Sequence, residues 1–342
     1  MVLHLTDRRP VVAPDELVAS LVPPPTFADV SFASYRPNPG EPSQAAAVVA
    51  GEAFAQKIAE VRSSKSGWFR KQQRGAGLYL DGGFGVGKTH LLASIYHAAK
   101  APKLFGSFVE ITNMVGAIGM AGTVERLAQH SVVCIDEFEL DDPGDTMLLS
   151  RLLGELFDRS VSVAATSNTL PGQLGEGRFA AQDFLREIRQ IADGFQVLRV
   201  DGPDYRHRDL PAPPAPLPDA ELRERADRLA NASLDDFGAL AKHLATLHPS
   251  CYRELVKDLA AVCLSGVGPA SDQAVALRLV AFIDRLYDAG IPVLLSGQPG
   301  NALFTDEMLA GGYRKKYLRA ISRITALARA GEPLGSNSAS VA

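Results

Sequence analysis

Short apolar runs alternate with longer stretches of helical pattern through the first two thirds of the chain. Leu78–Leu80, Ser107–Ile111, Val132–Ile135, Val161–Ala165 and Val197–Val200 read as strands. Between and around them, Gln44–Val61, Lys88–Ala99, Asp145–Phe157 and Phe184–Ile191 read as helices, with Leu148, Leu149, Leu152, Leu153 and Leu156 gathered on one side of the third. Strand and helix in alternation predict an α/β fold, a parallel sheet flanked by helices. The residues before Gln44 are rich in proline and turn formers, as in PPPTF and YRPNPGEPS, and predict an extended arm over 1–43.

The run LPAPPAPLP, Leu210 to Pro218, interrupts this pattern. Proline blocks both helix and sheet there and makes a stiff linker. Beyond it, Glu221–Ala230, Leu234–Thr246, Tyr252–Val262, Gln273–Ala289 and Tyr313–Ala328 all read as helices, with one strand at Ile291–Ser296. Val275, Leu279, Phe282 and Leu286 form an apolar stripe on the fourth of these helices. The domain map expected is an arm (1–43), an α/β core (44–209), a linker (210–218), a mainly helical carboxy-terminal domain (219–330) and a disordered tail (331–342).

The 342 residues exceed what one compact core normally organises, in keeping with two domains. A net charge of −4 speaks against a dominant nucleic-acid surface. Three cysteines, Cys134, Cys251 and Cys263, form no CxxC pair and suit a reducing compartment. The opening MVLHLTDRRPVVAP lacks the apolar core of a secretory signal, and no run is long enough to span a membrane. The expectation is a cytoplasmic protein with no membrane span.

The chemistry concentrates at three strand ends. Gly82-Gly83-Phe84-Gly85-Val86-Gly87-Lys88-Thr89 follows a strand and opens a helix, as a phosphate-binding loop requires. Glycines let successive N–H groups turn inward toward phosphate oxygens, and the helix terminus adds partial positive charge. Lys88 is placed to neutralise the β- and γ-phosphates, the Thr89 hydroxyl to bind Mg2+, and His90 to touch the nucleotide surroundings. Val132-Val133-Cys134-Ile135-Asp136-Glu137 is a buried strand ending in two acids. Asp136 is the candidate magnesium ligand and Glu137 the candidate that orients attacking water. Asn168, closing Thr166-Ser167-Asn168 after the next strand, can reach that water. Arginines that could steady transition-state charge are Arg178, Arg186 and Arg189, or Arg319 and Arg323, which lie four positions apart on one helix. The seven histidines show no ligand spacing for zinc, and there is no GxSxG elbow.

Taken together, these motifs resemble those of the AFG-like AAA+ ATPases, the ZapE group. The resemblance runs from Glu41 to about Leu327 and rests on EPSQAAA, GLYLDGGFGVGKT, CIDEFELDDPGDTMLLSRLLGELF, ATSNTLPGQL, RLVAFIDRLYDAGIPVLLS and RAISRI. It implies an AAA+ core with a helical carboxy-terminal region, ATP hydrolysis, and a role in bacterial cell division through the division ring. Roles carry over to Lys88, Thr89, Asp136, Glu137 and Asn168. The chain departs from the family where Val86 replaces an arginine, where SFVEITNMV replaces a histidine-rich strand, and where Ala181 stands at an arginine position with Arg178 three residues earlier.

The leading expectation is an ATPase that remodels a protein partner as a nucleotide-dependent homo-oligomer, since an arginine supplied between subunits requires assembly. Two alternatives stay open. One is a nucleotide-gated switch with little turnover. The other is a nucleic-acid-loading ATPase using the basic clusters Lys65 to Arg74 or Arg314 to Lys316 with Arg319 and Arg323.

Overall fold

The computed structural model describes residues 2–63, 73–83, 85–140, 143–174, 181–202 and 213–335. Phe84, Arg178, most of the Lys65–Arg74 cluster, the first linker residues (210–212) and all but the first five residues of the tail expected over 331–342 lie outside the described residues. The chain divides into two compact units: Ala13–Asp209, and a second in which Met1–Val12 joins Leu210–Ala342.

The first unit runs α1 (Pro14–Ala19), α2 (Pro42–Ser63), β1 (Gly77–Gly82), α3 (Lys88–Ala98), β2 (Lys103–Ser107), α4 (Phe108–Leu127), β3 (Val132–Asp136), α5 (Pro143–Asp158), β4 (Ser162–Ser167), α6 (Leu185–Asp193) and β5 (Gln196–Val200). The strands form one parallel sheet in the order β2-β3-β4-β1-β5. Alternation along each strand feeds two cores. Leu78, Leu80, Val132, Cys134 and Ala164 join α2 and α3 on one face, while Tyr79, Val133, Ile135, Val163 and Ala165 join α4, α5 and α6 on the other. Parallel order with both faces covered explains why these strands read as apolar runs.

The second unit holds α7 (Asp219–Arg228), β6 (Ala232–Asp236), α8 (Phe237–Thr246), α9 (Tyr252–Leu255), β7 (Ala261–Val267), α10 (Gln273–Asp288), β8 (Val293–Gly297), α11 (Asp306–Ala310) and α12 (Arg314–Gly331). It is mainly helical, as expected, but its core is a three-stranded parallel sheet, β6-β7-β8. Ala261 and Cys263 face α7, whereas Val262 and Leu264 face the larger core with α8, α10 and α12. Both sheet edges are covered by short pieces of chain. Leu3 bridges Ser233 on the β6 side, and Leu217, from the proline-rich run, bridges Ser296 on the β8 side.

Four expectations are corrected. Ser107–Ile111 is not a strand: β2 ends at Ser107, and its hydroxyl accepts from the Glu110 N–H while Glu110 Oε2 accepts from the Ser107 N–H at 2.8 Å. That reciprocal cap starts α4 at once. The stretch Leu234–Thr246 begins in β6 and turns helical only at Phe237, where Asp236 accepts the Ala239 N–H at 2.8 Å. Tyr252–Val262 is helical only to Leu255, because Asp258 adopts the left-handed conformation (φ 62°) and turns the chain into β7. Finally, the arm over 1–43 is divided: residues through Val12 belong with the second unit, and the rest with the first.

Candidate nucleotide site

The carboxyl ends of β1, β4 and β3 lie side by side, because β4 pairs with β1 on one side and with β3 on the other. In a parallel sheet this is the edge where ligands bind. Gly82 ends β1 so close to β5 that a Cβ would stand 2.2 Å from the Val200 carbonyl oxygen. Gly87, with φ 90°, caps α3 in the left-handed region that glycine occupies without cost. Lys88 follows as the first helical residue, and it is buried.

The Lys88 ammonium donates to the carbonyls of Gly82 (2.8 Å) and Gly83, and to Asn168 Oδ1 at 2.9 Å. Thr89 Oγ1 donates to the Asp136 carboxylate, 3.2 and 3.1 Å from its two oxygens. So the residues assigned from the sequence as Lys88, Thr89, Asp136 and Asn168 are brought together at the carboxyl ends of adjacent strands. Thr166, not singled out from sequence, links the acids. Its hydroxyl donates to Asp136 Oδ1 and accepts the Glu137 N–H at 3.0 Å. Its carbonyl accepts the Phe138 N–H at 2.7 Å. Glu137 is thereby pinned in a left-handed conformation (φ 54°), one that costs a non-glycine residue about 1–3 kcal/mol. Only β-strand register places Thr166 here; the local hint was a hydroxyl at an inward position of the TSN run.

The donor set fits the implied metal. Thr89 and Asp136 offer a hydroxyl and a carboxylate, the hard oxygen ligands Mg2+ takes beside water and phosphate oxygens. Among the described residues, no group of three or more His, Cys, Asp or Glu could hold a metal ion alone. Such a pair suits a metal that arrives with a nucleotide.

The remaining candidates fall elsewhere. The His90 side chain is held by the segment before α2: Nε2 lies 3.1 Å from the Ser31 carbonyl and 3.0 Å from Ser34 Oγ, and its ring meets Tyr35 edge-on. Arg186 and Arg189 are exposed on α6. Arg319 and Arg323 are engaged on α12, where both hold the buried Asp284 of α10, Arg319 at 2.8 Å. Burial would push the Asp284 carboxyl up, but the two guanidinium groups outweigh it and hold it down at about 2. Cys134 is fully buried behind the acids; burial pushes its thiol up, leaving a packing side chain.

A parallel sheet whose first strand opens into a glycine loop and helix, with an acidic strand end and a polar strand end beside it, defines a P-loop nucleotide-binding protein. The chain belongs to the AFG1-like ATPase family, which it matches over residues 11–218 and 212–332. It is 34% identical over 168 residues to the cell division protein ZapE of Escherichia coli K12, covering 45% of this chain and 44% of that protein. It is 24% identical over 157 residues to lactation elevated protein 1 homolog B of Danio rerio, covering 39% of this chain and 31% of that one. The matches thus span less than half the length of these curated relatives. Among solved structures, DnaI is similar at 20% identity and a TM-score of 0.42, over 54% of this chain and 97% of that one. No helix among the described residues is long and apolar enough to cross a membrane.

Proposed function

We propose that this chain hydrolyses ATP in a magnesium-dependent reaction and, as an AAA+ protein, couples turnover to remodelling of a protein partner. One observation carries the reading. The run Thr89–Asp136–Thr166–Glu137, with Lys88–Asn168 beside it, is hydrogen-bonded across the ends of three neighbouring strands. Lys88 reaches the β- and γ-phosphates, moving from the loop carbonyls it now holds. Thr89 and Asp136 hold Mg2+, which when bound neutralises charge on the phosphate oxygens. Glu137 orients the attacking water and accepts its proton. Asn168, already bonded to Lys88, steadies the γ-phosphate side.

Kinship with a cell division protein supports a role in bacterial division, with a partner at the division ring, inside the cytoplasm. An arginine from a neighbouring copy completes the site in a nucleotide-dependent homo-oligomer, with Arg178, Arg186 and Arg189 as its candidates. The exposure of Arg186 and Arg189 supports that assignment. The test is phosphate release by purified protein beside Lys88→Ala, with light scattering in Mg–ATP. We expect release from the parent protein to drop to background in the variant. Equal release from both proteins would refute the loop assignment.

A further inference from the structure

The phosphate loop is held from outside by a residue distant in sequence. Tyr35 lies in the segment that precedes α2, and its hydroxyl donates to the Val86 carbonyl at 2.8 Å. Its ring covers Gly87 so closely that a Cβ there would stand 2.5 Å from Tyr35 Cε2. The same ring meets His90 edge-on, with centroids 5.4 Å apart, and His90 is in turn bonded to Ser31 and Ser34. The segment is itself fastened, since Phe32 packs against Gly51 of α2. Val86 is buried in the same core as the Tyr35 ring.

The consequence follows from peptide geometry. The Val86 carbonyl and the Gly87 N–H share one planar trans unit and point in opposite directions. A hydroxyl that fixes the carbonyl toward Tyr35 therefore aims the Gly87 N–H away from it. Glycine makes this control necessary: at φ 90° Gly87 stands in a region whose mirror image it reaches equally well, so the peptide plane can turn over at little cost. A turned plane would present a carbonyl oxygen where a phosphate needs a donor.

We propose that Tyr35 is a positioning residue for phosphate binding, anchoring the Val86–Gly87 peptide so that the Gly87 N–H faces the nucleotide. The proposal rests on the reading of this loop as a phosphate site. Tyr35→Phe keeps the ring over Gly87 and His90 and removes only the hydroxyl. The net worth of such a hydrogen bond, about 0.5–1.5 kcal/mol, corresponds to a roughly two- to tenfold rise in KM for Mg–ATP. Because the contact serves ground state and transition state alike, kcat at saturating ATP stays within about twofold. In nucleotide-free protein, the Gly87 amide resonance should shift or broaden in the variant while the thermal midpoint falls by at most about 4 °C, the worth of one such bond. An unchanged Gly87 resonance with an unchanged KM overturns the proposal. So does a variant in which kcat, KM and thermal midpoint all deteriorate together, which is the mark of general loosening. The Gly87 reporter is read without nucleotide, so a parent protein that bound no Mg–ATP would end the nucleotide reading while the anchor was still decided.

Discussion

The two units are built on the same principle and use their charges in opposite ways. Each is a parallel sheet with helices on both faces, and each places polar residues at the carboxyl ends of its strands. In the first unit those residues turn toward one another around a glycine loop: Lys88 to Asn168, and Thr89 and Thr166 to Asp136. In the second they serve the fold. Asp236 caps α8, Ser296 donates to Asp219, and Asp235 accepts the N–H groups of Leu5 and Thr6, at 3.0 and 3.1 Å, where the amino-terminal segment covers the sheet edge. Asp284 is held by Arg319 and Arg323 inside the α10–α12 contact. A parallel sheet supplies an edge with ligand potential. Whether that edge becomes a site depends on what the loops leave to bind.

The contrast can be broken most forcefully at Glu137. Glu137→Gln keeps size and removes the proposed base, so phosphate release should fall by about 100-fold or more while Mg–ATP is still bound. The backbone turn at this residue should survive, because Thr166 accepts its N–H. Rapid release would move water activation to another group.

Next in size is Asp284→Ala. It removes the carboxylate that Arg319 and Arg323 share in a buried site, and breaking such a network costs about 3–5 kcal/mol, measured as a lower urea midpoint for the second unit. The network also sets a pH dependence. The carboxyl is held below its unfolded value, so its stabilisation is complete above the ordinary carboxylate range. It is lost as pH falls from about 4 toward 2. Phosphate release per folded molecule should survive the substitution. A selective loss of release would instead show that Arg319 or Arg323 acts on nucleotide, and would erase the contrast between the units.

The smallest effect is expected at Thr166. Thr166→Val preserves shape and removes the hydroxyl that joins Asp136 to Glu137, so kcat should drop about tenfold, the kinetic equivalent of one lost charge-assisted bond. Thr166→Ser should restore most of it. A valine variant with full kcat would reduce Thr166 to a packing residue.

The first unit was largely legible because its signals are local. A glycine loop between strand and helix, and a strand that ends in Asp136-Glu137, can be read in a few consecutive residues. The second unit was harder. Residues 252–262 carry no glycine or proline, so nothing interrupts a helical reading; the break is made by Asp258 in a left-handed conformation, which its short polar side chain tolerates. Asn231 does the same just before β6, with φ 58°. The cap formed by Ser107 and Glu110 was present in the sequence and could have marked the start of α4.

By itself the sequence determined the alternation that makes the first sheet, the loop from Gly82 to Thr89, and the two acids at the end of β3. These depend on neighbours along the chain, where spacing alone decides geometry. Only the tertiary structure decided that Thr166 would bind both acids, that Tyr35 would grip the Val86 carbonyl, and that Leu3 and Leu5 would complete the second unit. Those contacts join residues far apart in the chain. They are set by strand register and by the packing of whole elements, which no local pattern of residues encodes.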